Sequence, residues 1–281
     1  MVKLAKPTIV ITQTQLDLLI FIAKYRFVTV AHIQKNFHYK SRTSVNNKLR
    51  RLILPKLVGM KYDKTKKLSG VPAAFFLTPA GLRIVQKKFP YFTDTIIRNS
   101  YSDKTASDAL IRGSYEIFEL ANSLMRTYPS MNALTARQLA DLEYFPQPLP
   151  SLYIANQKDN QSTTRYFVYH FRDIKRYDIA VKSGIQKLVA YRESDNYSAS
   201  SNEFPCILIV CETVAIKRLV LRTMRNFLNK SYESMLVYTT IRQTLTTQVS
   251  RDQLIWSNIN DCDTVVSLDT IESYICTTDQ L

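Results

Sequence analysis

Acidic residues are almost absent from the first third of this 281-residue chain. Residues 1–90 contain eighteen Lys or Arg but only two acids, Asp17 and Asp63, so their net charge is +16. The other residues are nearly neutral, because 20 basic side chains stand against 21 acidic ones. A merely solubilising surface mixes both signs, whereas a one-sided basic surface is typical of proteins that contact phosphate backbones. The distribution predicts nucleic-acid binding by the first third, in preference to binding of an anionic membrane surface.

Long apolar runs and glycine-rich motifs are also missing. The longest apolar runs, such as Leu16–Ala23 and Cys206–Cys211, are much shorter than the roughly 18 residues that span a bilayer. No apolar signal segment follows the N-terminus. We therefore expect a cytoplasmic protein with no membrane contact. With five glycines, the chain has neither a P-loop nor a G-x-G-x-x-G motif.

Cysteine and histidine do not occur at metal-ligand spacings. The chain has no C-x-x-C pair, and its three histidines are far apart and lack ligand spacing with the cysteines. We therefore expect no metal and no cofactor, and structural roles for all four cysteines, Cys206, Cys211, Cys262 and Cys276. Of the histidines, His32 and His38 are predicted to lie on a helix surface or near DNA, and His170 has no assigned role.

Three helices are predicted in the first half of the basic segment. Thr12 and Thr29 are capping residues, and each precedes apolar residues at helical spacing. The third helix covers Ser44–Leu54 and is opened by Ser41 or Thr43. Its apolar residues recur on one side, so the other side is left polar.

A basic hairpin and a fourth helix are predicted next. Leu57–Tyr62 and Ala73–Leu77 are extended stretches, and the segment between them, Asp63–Pro72, is rich in lysine. The pair Thr78-Pro79 then begins a helix, because threonine caps it and proline is tolerated at its first position. The resulting order is helix–helix–helix–strand–strand–helix.

This order of elements is that of a winged helix-turn-helix domain, with Ser41–Leu54 as the recognition helix. Residues Phe75–Gly81 resemble the exit from the wing in many winged-helix regulators. Asn and Arg on a recognition helix pair with base edges, hydroxyls near a helix N-terminus suit phosphates, and wing lysines reach flanking phosphates. The predicted DNA-binding residues are Lys40, Ser41, Arg42, Thr43, Ser44, Asn46, Asn47, Lys48, Arg50, Arg51, Lys61, Lys64, Lys66 and Lys67.

The remainder of the chain has a different pattern. Residues 91–105 are predicted to be a linker, and Ala106–Tyr128 a long amphipathic helix. Strands and helices then follow in alternation: Ser151–Asn156, Thr164–Phe171, Tyr177–Arg192, Phe204–Glu212, Val214–Asn229 and Ser234–Thr240. We therefore predict an α+β protein, with a DNA-binding domain at 1–90 and a small α/β domain at 106–281 that serves dimerisation or partner binding.

A nuclease is the alternative for the second domain. Asp173-Ile174-Lys175 follows a predicted strand, as the acid-x-Lys part of a PD-(D/E)xK nuclease does. Such an enzyme needs several carboxylates around Mg²⁺. In the motif an aspartate follows the proline, but in this chain Ser151 follows Pro150. Nothing in the spacing brings together the remaining acids, Asp178, Glu193, Glu203 and Glu212. We therefore predict no catalytic activity and no catalytic residue.

Across both halves the chain resembles the replication-relaxation family, proteins of plasmids and other mobile elements that are associated with plasmid replication and transfer. The similar segments are Thr14–Lys24, Val28–Phe37, Leu49–Leu52 and Leu77–Gly81, and more loosely Lys187-Leu188, Tyr191, Cys206–Val210, Leu236–Thr240 and Trp256. The resemblance implies a nuclease-like fold for the second domain, commonly with Glu-x-Asp on the strand that here reads Tyr169-His170-Phe171-Arg172. That departure favours a degenerate, non-catalytic domain.

The resemblance also implies a biological role. We expect a DNA-binding accessory or regulatory protein at a plasmid or mobile-element origin of replication or transfer. A homodimer is expected, because two half-sites multiply affinity, and replication or transfer proteins are further expected partners. The alternatives are a metal-dependent DNA nuclease or nickase that uses the second domain, and a transcription repressor with the same winged helix.

Overall fold

The computed structural model describes residues 11–62, 70–158, 162–194, 196–199, 204–228, 235–247, 250–261 and 264–271. The protein is a mixture of α-helices and β-strands, which agrees with the predicted α+β class. It forms two compact units, Met1–Phe118 and Glu119–Leu281. This division falls later in the chain than the predicted domain limits, because residues after 90 pack with the first unit.

The elements of the first unit follow one another in the predicted order. They are α1 (Gln13–Tyr25), α2 (Val30–Phe37), α3 (Arg42–Ile53), β1 (Val58–Lys61), β2 (Ala74–Leu77) and α4 (Pro79–Gln86). The two strands pair antiparallel, with Val58 opposite Leu77. Their connection contains the predicted hairpin tip, whose residues 63–69 lie outside the described part of the chain.

Each of these four helices begins at a hydroxyl side chain that satisfies a free N–H of its first turn. The oxygens of Thr12, Thr29, Ser41 and Thr78 each accept a hydrogen bond from the backbone N–H three residues later. Of the two caps predicted for α3, the structure uses Ser41, so α3 begins at Arg42, two residues earlier than predicted.

The first unit has an apolar core to which every helix contributes. α1 buries Leu19 and Ile22, and α3 buries Val45, Leu49 and Leu52. Close contact also depends on glycine at one position in α4. A Cβ added to Gly81 would lie 2.2 Å from the carbonyl oxygen of Leu57, so only glycine lets α4 approach the chain before β1 this closely.

Residues 91–105, predicted to be a linker, are helical from Asp94 onwards and contribute buried side chains to the first unit. They form α5 (Asp94–Asn99) and a 3-10 helix (Ser100–Thr105). Ile96 and Ile97 are buried, and Asp103 is fully buried and pairs with Arg26 at the end of α1. The linker prediction rested on a polar run, and it missed these apolar side chains.

α6 (Asp108–Thr127) runs across the division between the two units. In the second unit, it is followed by β3 (Met131–Thr135), α7 (Ala136–Leu139), β4 (Leu152–Lys158), β5 (Ser162–Phe171), α8 (Tyr177–Glu193), a 3-10 helix (Asn196–Ala199), β6 (Cys206–Cys211), α9 (Val214–Leu228), β7 (Val237–Ile241), α10 (Arg242–Thr247), β8 (Trp256–Asn258) and β9 (Val265–Val266). None of the helices that the described residues form is long and apolar enough to cross a membrane.

The described strands of the second unit form one mixed sheet in sequential order from β3 to β9. β3, β4 and β5 pair antiparallel, β5, β6 and β7 pair parallel, and β7, β8 and β9 pair antiparallel. α8 and α9 connect the parallel strands, as such strands require. Both helices pack on the sheet face that carries Phe167, Ile207 and Val237. β3 was not predicted, although its side chains alternate between buried and exposed, with Met131, Ala133 and Thr135 buried.

Candidate nucleic-acid interface

The exposed side of α3 is a polar stripe with no acidic residue. Its members recur in adjacent pairs every four residues, a spacing that puts side chains on one face of a helix. The apolar residues of α3 are buried on the opposite side. The polar stripe consists of Arg42, Thr43, Asn46, Asn47, Arg50 and Arg51, all exposed. The structure thus brings together six of the residues predicted from the sequence.

The cations at this surface are not neutralised by neighbouring carboxylates. Within the described part of the chain, Lys40, Arg42, Arg50 and Arg51 form no ion pair. Asp17 is the one acid among the described residues between 11 and 90, and it accepts a hydrogen bond from the amide of Gln13 at 2.6 Å. The positive charge of the stripe is therefore available to an anionic ligand.

The residues before and within the first turn of α3 have more specific positions. The Ser41 hydroxyl caps the helix by accepting the N–H of Ser44 at 3.2 Å, and Ser44 is half-buried. The first N–H groups of a helix have no partner within it and attract anions. Lys40 and Ser41 are exposed beside them. This end of α3 can therefore receive a phosphate.

Lys48 lies off the polar stripe. It is half-buried, and its ammonium lies over the ring of Tyr39, 5.1 Å from the centroid. Tyr39 in turn stacks on Phe37 at 5.6 Å between ring centroids. Lys48 thus supports the connection between α2 and α3, and its contact with DNA stays a prediction.

Of the four predicted hairpin lysines, the structure describes Lys61. It is half-buried, and its ammonium donates a hydrogen bond to the carbonyl oxygen of Ala106. Part of its hydrogen-bonding capacity is therefore used within the first unit. Lys64, Lys66 and Lys67 lie outside the described residues.

His32 is part of the packing of the first unit, so its predicted surface position is wrong. Its ring stacks on Phe118 at 4.5 Å and meets the edge of Tyr115 at 4.9 Å. Its Nδ1 accepts the backbone N–H of Thr29 at 3.4 Å, which places the ring proton on Nε2. Burial, and then the charge of Lys35, lowers the pKa of His32 to about 4. His38, by contrast, is exposed at the end of α2, as predicted.

Most of the residues considered for a nuclease lie on exposed surface near the start or the end of α8. Asp173 and Lys175 are exposed between β5 and α8, and Asp178 and Glu193 are exposed on α8. Glu203 lies outside the described residues. Among the residues that the structure does describe, no group of three or more His, Cys, Asp or Glu side chains could hold a metal ion.

Glu212 instead belongs to a charged cluster at the carboxyl ends of the parallel strands. Arg242, which follows β7, donates to both carboxylate oxygens of Glu212 at 2.8 Å and to Glu119 at 3.1 Å. His170, near the end of β5, lies 3.2 Å from Glu212. These contacts resemble a structural ion-pair network more than an acid–base pair.

The pKa values of Glu212 and His170 are both lowered, but by different causes. Hydrogen bonds from Arg242 lower the pKa of Glu212, whereas burial lowers the pKa of His170 to about 4. Glu212 is therefore charged and His170 neutral at pH 7. No local sequence pattern indicates this cluster, because its members become neighbours only once β5, β6 and β7 lie side by side.

The described cysteines behave as predicted. Cys206 and Cys211 are buried on β6, and neither forms a disulfide with a described residue. Burial raises the pKa of Cys211 to about 11, so this thiol stays protonated and unreactive at neutral pH. Cys262 and Cys276 lie outside the described residues.

Searches of known protein families, of curated proteins and of solved structures found no match for this chain. The features of this chain that indicate a function are the polar stripe of α3 and the uneven distribution of charge along the chain.

Proposed function

We propose that this protein binds double-stranded DNA through its first unit, which acts as a winged helix-turn-helix domain. α3 is the recognition helix and the β1–β2 hairpin is the wing. The observation that carries the proposal is the polar stripe, which contains no acidic residue. The opposite side of α3 is buried in the core of the first unit, so the stripe faces outward. A duplex offers a dense row of phosphates to such a surface.

The residue types in and beside the polar stripe suit two kinds of DNA contact, with base edges and with phosphates. Arg and Asn side chains can form paired hydrogen bonds with guanine and adenine in the major groove. Asn46 and Asn47 would read base edges, whereas Arg42 and Arg50 would contact phosphates. Lys40, Ser41 and Thr43, at the start of α3, would hold a further phosphate. The hairpin lysines would contact a flanking phosphate or the minor groove.

The proposed biological role is that of an accessory or regulatory factor at a plasmid or mobile-element origin of replication or transfer. In this proposal the second unit is a degenerate, non-catalytic PD-(D/E)xK-like domain that forms a homodimer and binds replication or transfer proteins. A transcription repressor would use the same DNA-binding unit, and only its target site would differ.

Removing charge from the polar stripe tests DNA binding. The variant Arg42→Gln/Arg50→Gln loses two phosphate-attracting charges, and each released counterion contributes about 0.9 to the salt slope for duplex DNA. We expect weaker binding of a 30-base-pair duplex and a slope of log K against log salt that is smaller by about 1.8. Fluorescence anisotropy over a salt series measures both quantities.

A matched control carries the same charge change elsewhere in the first unit. Arg83 and Lys87 are exposed on and just after α4 and are not part of the polar stripe. The control variant Arg83→Gln/Lys87→Gln should keep nearly all of the affinity and slope. Equal losses in the two double variants would show that α3 has no special role, and would contradict the proposal.

The wing is tested separately. Substituting Gln for Lys64, Lys66 and Lys67 together should weaken binding to every duplex sequence and reduce the salt slope by up to about 2.7, because three phosphate contacts are removed. An unchanged slope would rule out the wing contact while leaving the role of α3 open to its own test.

The biological role needs different assays. A footprint on DNA next to the protein's own gene separates the alternatives, since a site near an origin favours replication or transfer and a site across a promoter favours repression. Incubation of a plasmid with protein and Mg²⁺ or Mn²⁺ tests for nicking. A mass of one chain in solution would contradict the homodimer.

A further inference from the structure

A groove in the second unit, formed by α8 and α9, has a basic and polar lining. Its volume is about 440 Å³, and it is lined by Lys182, Gln186, Arg222, Thr223, Asn226 and Phe227. Lys182 and Gln186 lie four residues apart on α8, as Arg222 and Asn226 do on α9. Each helix therefore contributes a cation and a carboxamide to the same groove.

The charge on α9 is concentrated in a unit that is otherwise balanced. Residues 119–281 contain 17 Lys or Arg and 17 Asp or Glu, which cancel. α9 carries four basic residues and no acid, and Arg218 lies one helical turn before Arg222 on the same face. Within the described residues, neither Lys182 nor Arg222 forms an ion pair. The groove is therefore a local site of uncompensated positive charge.

The shape of the groove restricts its ligand. The axes of packed helices lie about 8–10 Å apart, so this groove is a depression on the surface of two helices in contact. With a volume of about 440 Å³, it is too small to hold a DNA duplex. A single strand is thin enough to enter, and its unpaired bases offer hydrogen-bonding edges and flat faces. Basic grooves with an aromatic side chain are typical of single-strand binding, and Phe227 is half-exposed in this groove.

We propose that the α8–α9 groove binds a single strand of nucleic acid. Lys182 and Arg222 hold consecutive phosphates, Gln186 and Asn226 donate to phosphate or base oxygens, and Phe227 contacts a base or sugar. A lone phosphate or a peptide of glutamates would offer Phe227 no flat base to contact, whereas a single strand offers both phosphates and bases. This site is separate from α3 and does not depend on duplex binding by the first unit.

The test compares two charge variants of the full chain for binding to a fluorescent 15-nucleotide oligo-dT. Lys182→Gln/Arg222→Gln removes two proposed phosphate contacts, each contributing about 0.7 to the salt slope for single strands. We expect the slope to fall by about 1.4, which corresponds to about 25-fold weaker binding at 0.1 M salt. Lys175→Gln/Arg176→Gln carries the same charge change outside the groove, at exposed positions of the same unit, and should bind nearly as the unchanged protein does.

Four results would overturn the proposal. The first is that the folded full chain does not bind oligo-dT. The second and third are that Lys182→Gln/Arg222→Gln binds as tightly as the unchanged protein, or that both variants lose the same affinity. The fourth is that a 15-residue poly-Glu peptide competes as well as unlabelled oligo-dT. A duplex competitor distinguishes this site from α3. The Arg42→Gln/Arg50→Gln variant should lose duplex binding but keep the groove-dependent part of oligo-dT binding, so failure of either proposal can be recognised without the other.

Discussion

The ion pair between Arg26 and Asp103 offers a sharp test of how the first unit is built. Arg26 Nε donates a hydrogen bond to Oδ1 of Asp103 at 2.9 Å, and Arg26 Nη2 lies 2.8 Å from the same oxygen. The Asp103 side chain is 0% exposed and that of Arg26 is 30% exposed. Oδ2 of Asp103 is buried and accepts no hydrogen bond from a described residue. Arg26 is thus the main compensation for a buried carboxylate.

The two halves of this pair should respond unequally to substitution. Arg26→Gln leaves a buried charge uncompensated, and such losses cost about 3–5 kcal/mol. Because Arg26 is partly exposed, some water can reach the site, so we expect about 3 kcal/mol. Asp103→Asn leaves an arginine that can turn to water, so we expect about 1–2 kcal/mol. The double variant should recover part of the first loss, since its buried group is neutral.

Urea denaturation of the full chain measures these changes. Far-ultraviolet circular dichroism follows both units, whereas fluorescence of Trp256, the chain's one tryptophan, follows the second unit. The circular dichroism transition of the first unit should move, and the fluorescence transition should stay within error. Lys104→Gln, at an exposed neighbour of Asp103, is the control and should change stability by less than about 0.5 kcal/mol. If Arg26→Gln and Lys104→Gln unfold at the same urea concentration, residues 91–105 do not stabilise the first unit as we argue.

Three further predictions concern other positions. Burial lowers the pKa of His32 from 6.5 to about 4. As the pH falls below 6.5, His32 therefore takes up a proton in the unfolded chain before it does so in the folded chain. The free energy of unfolding should fall by up to about 3 kcal/mol between pH 6.5 and pH 4. His32→Gln should remove this part of the pH dependence in denaturation at pH 4 to 7, and an unchanged profile would mean that His32 titrates normally. Gly81→Ala should cost more than about 2 kcal/mol in urea denaturation, because its Cβ would lie 2.2 Å from a backbone oxygen that cannot move alone; a neutral result would show that α4 can shift freely. Arg242→Gln should lower the stability of the second unit by about 2 kcal/mol, measured by Trp256 fluorescence at pH 7. Glu212 would lose both hydrogen bonds from the guanidinium and keep its contact with His170. No change there would show that water replaces the arginine at no cost.

Several features were predictable because they depend on residues that are close in sequence. A threonine or serine three residues before a free N–H, a proline at a first helical position and apolar residues at helical spacing are all local signals. They placed α1, α2, α3 and α4 to within about two residues. The stripe of α3 was equally predictable, because burial of Val45 and Leu49 forces the intervening polar residues outward.

The errors came from interactions between distant residues. Residues 91–105 look polar and loop-like, but Asp103 meets Arg26 across 77 positions and Ile96 and Ile97 are buried. His32 looks like a surface residue until α6 brings Tyr115 and Phe118 against it. The spacing of apolar residues in one segment shows which of its faces is buried, but not which other segment packs against that face.

The amino-acid sequence alone therefore determined the local structure and the charge of this protein: where the helices begin, where the hairpin lies, and which third of the chain is basic. These properties depend on short-range hydrogen bonds and on composition. Tertiary structure alone decided that Lys61 bonds Ala106, that His170, Glu212 and Arg242 form one cluster, and that Lys182 and Arg222 share a groove. Those neighbours are selected by strand order and helix packing, which depend on burying apolar surface from the whole unit at once.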